Sequence, residues 1–202
     1  MTIAVIISTY NNPSWLRKTL WGYVYQTRQA DEIIIADDGS TSDTADLIKT
    51  FCCSLPLKHV WQEDKGFRKT KILNEAIKIA TSDYLIFTDQ DCIPRFDFIA
   101  THERFAESGK FLSGGYVKLP MLLSQKLDER MAYGGEDREL GERLYNAGIR
   151  PRQIRYSAIA LHLDHQRPYI NQRAWDKNNM IRKETRRNNL IKTAFGLKKY
   201  TL

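Results

Sequence analysis

The sequence lacks the marks of several large protein classes. It has three cysteines, Cys52 and Cys53 side by side and Cys92 apart, which make neither a disulfide framework nor a zinc spacing. No apolar run reaches the roughly 18 residues that a membrane span needs. Met1 leads straight into the run Ile3-Ala4-Val5-Ile6-Ile7, without the basic n-region, apolar core and cleavage site of a secretory leader. A reduced, cytoplasmic protein is the expectation. No G-x-G-x-x-G follows the first strand-like run, which ends in Ser8-Thr9-Tyr10-Asn11-Asn12, and no G-x-x-x-x-G-K-[ST] occurs anywhere. Both absences argue against the dinucleotide-binding and P-loop classes. Repeats and low-complexity tracts are absent too.

What is there suits one globular domain: 202 residues, 42% of them apolar, enough for a substantial core. The net charge of +7 is unevenly spread. From His165 onward ten Lys and Arg face only Asp176 and Glu184, a net of +8, so the rest of the chain sums to −1. A basic C-terminal segment of this kind meets anionic lipid, nucleic acid or a phosphorylated substrate, or is simply a solvated helix face.

Strand and helix patterns alternate through the first half. Strands are expected at 3–8, 32–37, 57–61 and 84–88. Helices are expected at 13–26, 42–51 and 68–80, the first with Asn12 as N-cap and Pro13 at its first position. This βα repetition predicts an α/β fold with a mostly parallel central sheet flanked by helices. The second half is less regular. It suggests helices at 96–108 and 136–147, strands at 111–118 and 155–163, and a basic, partly helical tail from Asn171. In open α/β sheets ligands sit beyond the carboxyl ends of the strands. Asp38, Asp89 and Asp91 all fall there.

Asp89 and Asp91 close the apolar run "YLIFTDQDCIP". Two carboxylates one residue apart can hold a hard cation, which in turn holds phosphate oxygens; alone, the pair is also compatible with a solvated strand-end turn. Three other stretches accompany it in order: "VIISTYNNPSWLRKTLWGYVYQT", "EIIIADDGSTSDT" and "EDKGFRKTKILNEAI". Together the four resemble the inverting glycosyltransferases of the GT-A (Rossmann-like) fold, family 2 type. The resemblance covers residues 3–94. It implies that Thr9 and Tyr10 line the uracil and ribose pocket and that Asp38 binds the uracil or ribose edge. One of Asp37 and Asp38 would serve only the turn with Gly39. It further implies that Arg68 or Lys71 faces the diphosphate or base, that Asp89 contacts ribose or a metal-bound water, and that Asp91 ligates the metal. Cys92 reads as a small buried filler.

In the second half "AYGGEDRELGERLYNAGI" and "IALHLDHQRP" resemble the galactosyltransferase-like branch. The match implies Asp137 as the base that deprotonates the acceptor hydroxyl. Glu136 would hydrogen-bond a sugar, and Gly134 and Gly135 would admit it closely. The residues-only alternative is that Glu136 and Asp137 merely favour a helix N-terminus. His162 would be the third metal ligand, with His165 on diphosphate or sharing that role; an imidazole suits Mn²⁺ better than Mg²⁺. The chain departs from the family between the expected 111–118 strand and the Gly-Gly-Glu-Asp run. A longer segment usually stands there, and only Leu127-Asp128-Glu129 resembles its end. A chain break or mobile loop is expected at 124–127.

The expected function is metal-dependent, inverting transfer of a hexose (galactose, N-acetylgalactosamine or glucose) from a UDP-sugar to a glycan or lipid-linked glycan. Residues 1–165 would form the catalytic domain, with 1–94 as nucleotide-binding half and 95–165 as acceptor half, and 166–202 a basic extension. That extension, with Trp175, Ile191, Phe195 and Leu197, would dock on the inner face of an anionic membrane; nucleic acid is the less expected partner. Two rivals are a sugar nucleotidyltransferase, for which no Gly-rich activation loop is found, and a non-catalytic binding module.

Overall fold

The computed structural model describes residues 1–113, 119–120, 127–154, 157–163 and 171–196. Its first half runs β1 (Ile3–Thr9), α1 (Pro13–Val24), β2 (Glu32–Asp37), α2 (Ser42–Phe51), β3 (Leu57–Trp61), α3 (Lys69–Ile79) and β4 (Tyr84–Asp89). The second half is β5 (Cys92–Pro94), α4 (Phe98–Phe105), β6 (Lys110–Ser113), β7 (Leu119–Pro120), α5 (Glu136–Asn146), β8 (Arg150–Gln153), β9 (Ala160–His162) and α6 (Gln172–Arg187).

The main sheet has the order β3-β2-β1-β4-β7, parallel except for β7, which pairs antiparallel with β4 at the edge. β1 and β2 are buried along their whole length, which is why they read as unbroken apolar runs: helices cover both faces. Ile3, Val5 and Ile7 point to the side of α1 and α2, onto Leu16, Leu20, Tyr23, Leu47 and Phe51. Ala4 and Ile6 point to the other side, onto Ile72, Leu73 and Ala76 of α3 and Leu140 and Leu144 of α5. The chain steps outward from β1 to β3, then returns to place β4 on the far side of β1. The reversal opens a crevice between the carboxyl ends of β1 and β4, where Ser8 lies opposite Asp89 and where α/β folds bind ligands.

Local signals explain the ends of the elements. The Asn12 side chain accepts the Trp15 amide at 3.2 Å, with Pro13 in the first turn of α1, as the sequence leads one to expect. The second half needed corrections. The run at 155–163 is not one strand: Ser157 N–H donates to Ile154 O at 3.0 Å in a turn, and only Ala160–His162 pairs, antiparallel to β5. Residues 155–156 lie outside the described residues. The strand expected at 111–118 is described at Lys110–Ser113, where it pairs in parallel with β8. β8 itself is polar and contains Pro151, so no alternation announced it. Of the expected break at 124–127, residues 121–126 lie outside the description. Leu127 is buried, and its N–H and C=O are both held by the Asn74 side chain at 3.0 Å.

The basic C-terminal segment contributes α6, which packs on α5. Asn178, Ile181 and Thr185 face inward, and Arg182 and Arg186 each reach Glu142 Oε1 at 2.6 Å. No described helix is long and apolar enough to cross a membrane.

Candidate active site

The carboxyl ends of β1 and β2 build one wall. Asp37 is spent on the turn: Oδ1 accepts the Ser40 amide at 2.8 Å, and Oδ2 meets His59 Nε2 at 3.0 Å. Asp38 faces the crevice floor and takes the Arg68 amide at 2.8 Å and the Gln62 side chain. Burial raises its carboxyl pKa against those two donors. Thr9 is buried, its hydroxyl bonded to the Gln90 side chain. Tyr10 is half-exposed and donates its hydroxyl to Asp64 Oδ2 at 2.9 Å. Gly39 has φ +100°, and a Cβ there would stand 2.6 Å from Asp64 Cα, so only glycine lets this turn close on the Tyr10–Asp64 pair.

β4 supplies the centre. Asp89 Oδ1 accepts the Ser8 hydroxyl and the Lys69 ammonium, the latter at 2.6 Å. The same ammonium lies 3.9 Å from Glu136 Oε1 at the start of α5. Burial opposes charge on Lys69, but Asp89 and Glu136 outweigh it and raise the ammonium pKa. Burial likewise works against ionised Asp89, and Lys69 and Ser8 reverse it, holding that carboxyl below the usual range. Glu136 ends up raised, chiefly by burial and against the pull of Lys69. Lys69 thus ties the first acid of the T-D-Q-D run to the helix that begins with Glu136 and Asp137.

The second acid of the run faces another way. β5 and β9 pair so that Cys92 lies opposite His162. His162 Nε2 is 3.2 Å from Asp91 Oδ2, and the Cys92 thiol donates to Asp91 Oδ1 at 3.4 Å. One carboxylate oxygen, one sulfur and one imidazole nitrogen lie within 4.8 Å of one another. That spacing and donor set fit a single divalent cation: oxygen and imidazole suit Mn²⁺, and the thiol adds a softer donor. Cys92 is buried as a filler would be, yet its sulfur belongs to this cluster.

The Gly-Gly-Glu-Asp run makes the opposite wall. Gly134 and Gly135 have φ +99° and +90°, the left-handed region that favours glycine. Cβ atoms there would come within 3.5 Å of Trp175 and Arg182 of α6. Glu136 Oε2 accepts the Gly134 amide at 3.0 Å, and Asp137 is exposed beside it.

Thus Thr9, Tyr10, Asp38, Arg68, Asp89, Asp91, Glu136, Asp137 and His162 all come from the strand ends, the turns after them, or the start of α5. Lys71 is exposed on α3, and the cation that turns in to Asp89 is Lys69, two residues earlier. Pattern alone could not separate the two, because "RKTK" places three bases around the helix start. Gln90, between the acids, was also passed over; its side chain bonds Thr9 and accepts the Tyr10 amide at 3.3 Å. His165 lies outside the described residues.

The family model described as Glycosyl transferase family 2 matches residues 4–189. The chain is 35% identical over 89 residues to a validoxylamine A glucosyltransferase of Streptomyces hygroscopicus, covering 43% of this chain and 21% of that one. It is 32% identical over 93 residues to the hyaluronan synthase of Pasteurella multocida, covering 46% and 10%. An uncharacterised glycosyltransferase of Haemophilus influenzae is 36% identical over 125 residues, covering 58% and 45%. The chain therefore spans less than half the length of these relatives. Among solved structures, S. aureus TarS 1-349 in complex with UDP-GlcNAc superposes with a TM-score of 0.75 at 16% identity, covering 90% of this chain and 65% of that one. The Pyrobaculum calidifontis mannosyltransferase in complex with GDP-Man and Mn2+ gives 0.70 at 19% identity, covering 83% and 58%. At such identities the structural likeness establishes the fold, a GT-A-type α/β architecture.

Proposed function

The chain belongs to glycosyl transferase family 2, hence to the glycosyltransferases, and on that premise we propose that it moves a hexose from a UDP-sugar to a glycan or lipid-linked glycan, with inversion at the anomeric carbon and with a divalent cation. Galactose, N-acetylgalactosamine and glucose are the donors proposed. A single observation carries this reading. Asp91 and His162 meet at 3.2 Å beside Asp89, and Lys69 joins Asp89 to Glu136, the neighbour of Asp137. On this reading the nucleotide groups and the proton acceptor share one crevice.

Asp38, Thr9 and Tyr10 bind the base and ribose, with Arg68 at their edge. Asp91 and His162 would hold the cation, Mn²⁺ in preference to Mg²⁺, and Cys92 lies within its reach. Bound there, the cation would neutralise charge on the leaving diphosphate, a Lewis-acid contribution. Asp89 contacts ribose or a bound water. Glu136 orients a sugar hydroxyl; its raised pKa suits a carboxyl that exchanges hydrogen bonds in a dry corner. Asp137, exposed and at the helix start, takes the proton from the acceptor hydroxyl. The neighbours solved with UDP-GlcNAc and with GDP-Man and Mn2+ support a nucleotide-sugar donor and a metal.

The C-terminal region is proposed to touch anionic membrane where a lipid-linked acceptor resides. Trp175, Met180, Ile191 and Phe195 are exposed among basic residues; Leu197 lies outside the description. Sedimentation with anionic vesicles that does not depend on these residues would remove that part.

The deciding experiment is calorimetric titration of UDP with and without Mn²⁺, on the parent protein and on Asp91→Ala. Binding that needs Mn²⁺ and disappears in Asp91→Ala is expected. Metal-independent binding, unchanged in Asp91→Ala, would overturn the metal assignment. Release of pyrophosphate from UTP and a sugar phosphate would replace the reading with a nucleotidyltransferase.

A further inference from the structure

Among the deeply buried polar side chains to which the proposed reaction gives no part, one lies directly behind the Gly-Gly-Glu-Asp run. Asn178, in the middle of α6, is 1% exposed. Its Oδ1 accepts the Ala132 amide at 3.0 Å. Its Nδ2 donates to three successive carbonyls, Ala132 at 2.8 Å, Tyr133 at 3.2 Å and Gly134 at 2.8 Å. One side-chain amide therefore holds one N–H and three successive C=O groups ahead of Gly135, Glu136 and Asp137, with one of its two hydrogens shared between carbonyls.

That turn has little else to define it. It belongs to no helix or strand. It ends in two left-handed glycines, the residues with the most conformational freedom to lose on ordering. Within the run, the Glu136 carboxylate on the Gly134 amide is a local brace. Phe67 packs edge-on against the Tyr133 ring, centroids 5.6 Å apart, and further support comes from α6. Trp175 and Arg182 pack over the two glycines, their nearest atoms 3.5 Å from where a Cβ would stand. α6 is itself latched to α5, by Thr185 Oγ1 donating to Glu139 at 2.8 Å and by Arg182 on Glu142.

We infer that Asn178 is a positioning residue for transfer: from the basic C-terminal helix it sets the backbone that delivers Glu136 and Asp137 to the crevice. The helix that the charge pattern marks as a docking surface is thereby also part of the catalytic apparatus. This inference rests on the reading of Asp137 as the base. It does not depend on the nucleotide side, because the Asn178 hydrogen bonds go to residues 132–134.

Asn178→Leu keeps the branched shape, at somewhat larger volume, and removes every hydrogen bond. Asn178→Asp keeps the acceptor for Ala132 and loses the donors to the three carbonyls. UDP release from UDP-glucose with Mn²⁺ (slow transfer to water) would be followed in both, beside UDP calorimetry and amide exchange over residues 132–137. Displacement of a reacting group by about 1 Å can cost on the order of a hundredfold in rate. The expected result is a kcat loss of about ten- to a hundredfold, with donor KM and UDP affinity held within about twofold. Exchange should quicken at Ala132, Glu136 and Asp137 and stay unchanged in β1 and β4. An unchanged kcat, a parallel loss of UDP affinity, unchanged exchange in the turn, or global unfolding of both variants would each overturn the inference. Should the parent protein turn over none of UDP-glucose, UDP-galactose and UDP-N-acetylgalactosamine, the proposed donor chemistry fails separately, and the exchange measurement still decides whether Asn178 fixes the turn.

Discussion

Lys69 and Asp89 form an ion pair of 2.6 Å whose cation also reaches Glu136 at 3.9 Å. Through Lys69 the carboxyl end of β4 is joined to the start of α5. The Lys69 and Asp89 side chains are 24% and 49% exposed, so water screens the attraction. Its loss should cost only about 1 kcal/mol of stability. Its effect on chemistry should be larger, because Asp89 and Glu136 would then face each other uncompensated. Lys69→Met is expected to melt within a few degrees of the parent while losing most transfer activity, and Lys69→Arg should recover part of it. A Lys69→Met protein with full activity would show that the link has no catalytic consequence.

The cation cluster yields a contrast between neighbours. His162→Ala removes an imidazole that the reading counts as a ligand, and Mn²⁺-dependent UDP affinity should fall at least about tenfold, the scale of losing metal-site support. Cys92→Ser replaces the sulfur by a harder donor at nearly the same place. It should leave Mn²⁺ affinity within about threefold and weaken binding of thiophilic ions such as Cd²⁺ much more. Calorimetry with each metal reads both effects. Equal losses for Mn²⁺ and Cd²⁺ in Cys92→Ser would place the sulfur outside the coordination sphere.

Two glycines with the same sign of φ should respond differently to alanine. Gly66 has φ +79° and open space around its missing Cβ, so Gly66→Ala should cost about 1–2 kcal/mol, the price of the left-handed region alone. Gly39 has φ +100° with Asp64 Cα 2.6 Å from the new carbon. Gly39→Ala should add about 1–3 kcal/mol of overpacking and push Asp64 off Tyr10, so UDP affinity should drop as well. Denaturant melts and UDP titration of the two variants test the difference.

The first half of the fold was legible because its signals are local. Unbroken apolar runs such as Ile3 to Ile7 mark strands covered on both faces, and Asn12-Pro13 marks a helix start. The acids were legible because α/β chemistry gathers at strand ends. What escaped depends on distant partners. β8 is a polar strand whose pairing is supplied by β6. Lys69 stands among three bases, and only packing decides which one turns inward to Asp89. Asn178 sits in a polar, charged helix, where nothing in the local pattern separates a buried amide from a solvated one. The basic tail read as a surface for the same reason: its inward face is made of Asn178, Ile181 and Thr185, only one of which is apolar.

His102 gives a pH prediction with its own window. It lies on the buried face of α4 against Phe98, with Nδ1 2.9 Å from the Tyr84 hydroxyl. Burial lowers its pKa from 6.5 to about 4. The folded state therefore resists protonation that the unfolded chain accepts. Its contribution to stability is complete above pH 6.5 and is lost progressively as pH falls toward about 4. The full shift corresponds to on the order of 3 kcal/mol at the acid end. Glu32 is also depressed, from 4.5 to about 2, where burial is outweighed by Lys58, Ser82 and Thr81. Its loss begins only near pH 4.5, so the interval from pH 6.5 to 5 separates His102 from that carboxylate; Asp38 and Glu136, both raised by burial, act in the opposite sense and cannot cause a loss there. His102→Gln, which cannot titrate, should be less stable than the parent at pH 8 but should melt at nearly constant temperature from pH 6.5 to 5. The parent should lose several degrees over the same interval. Parallel slopes for the two proteins would show that the acid sensitivity arises elsewhere.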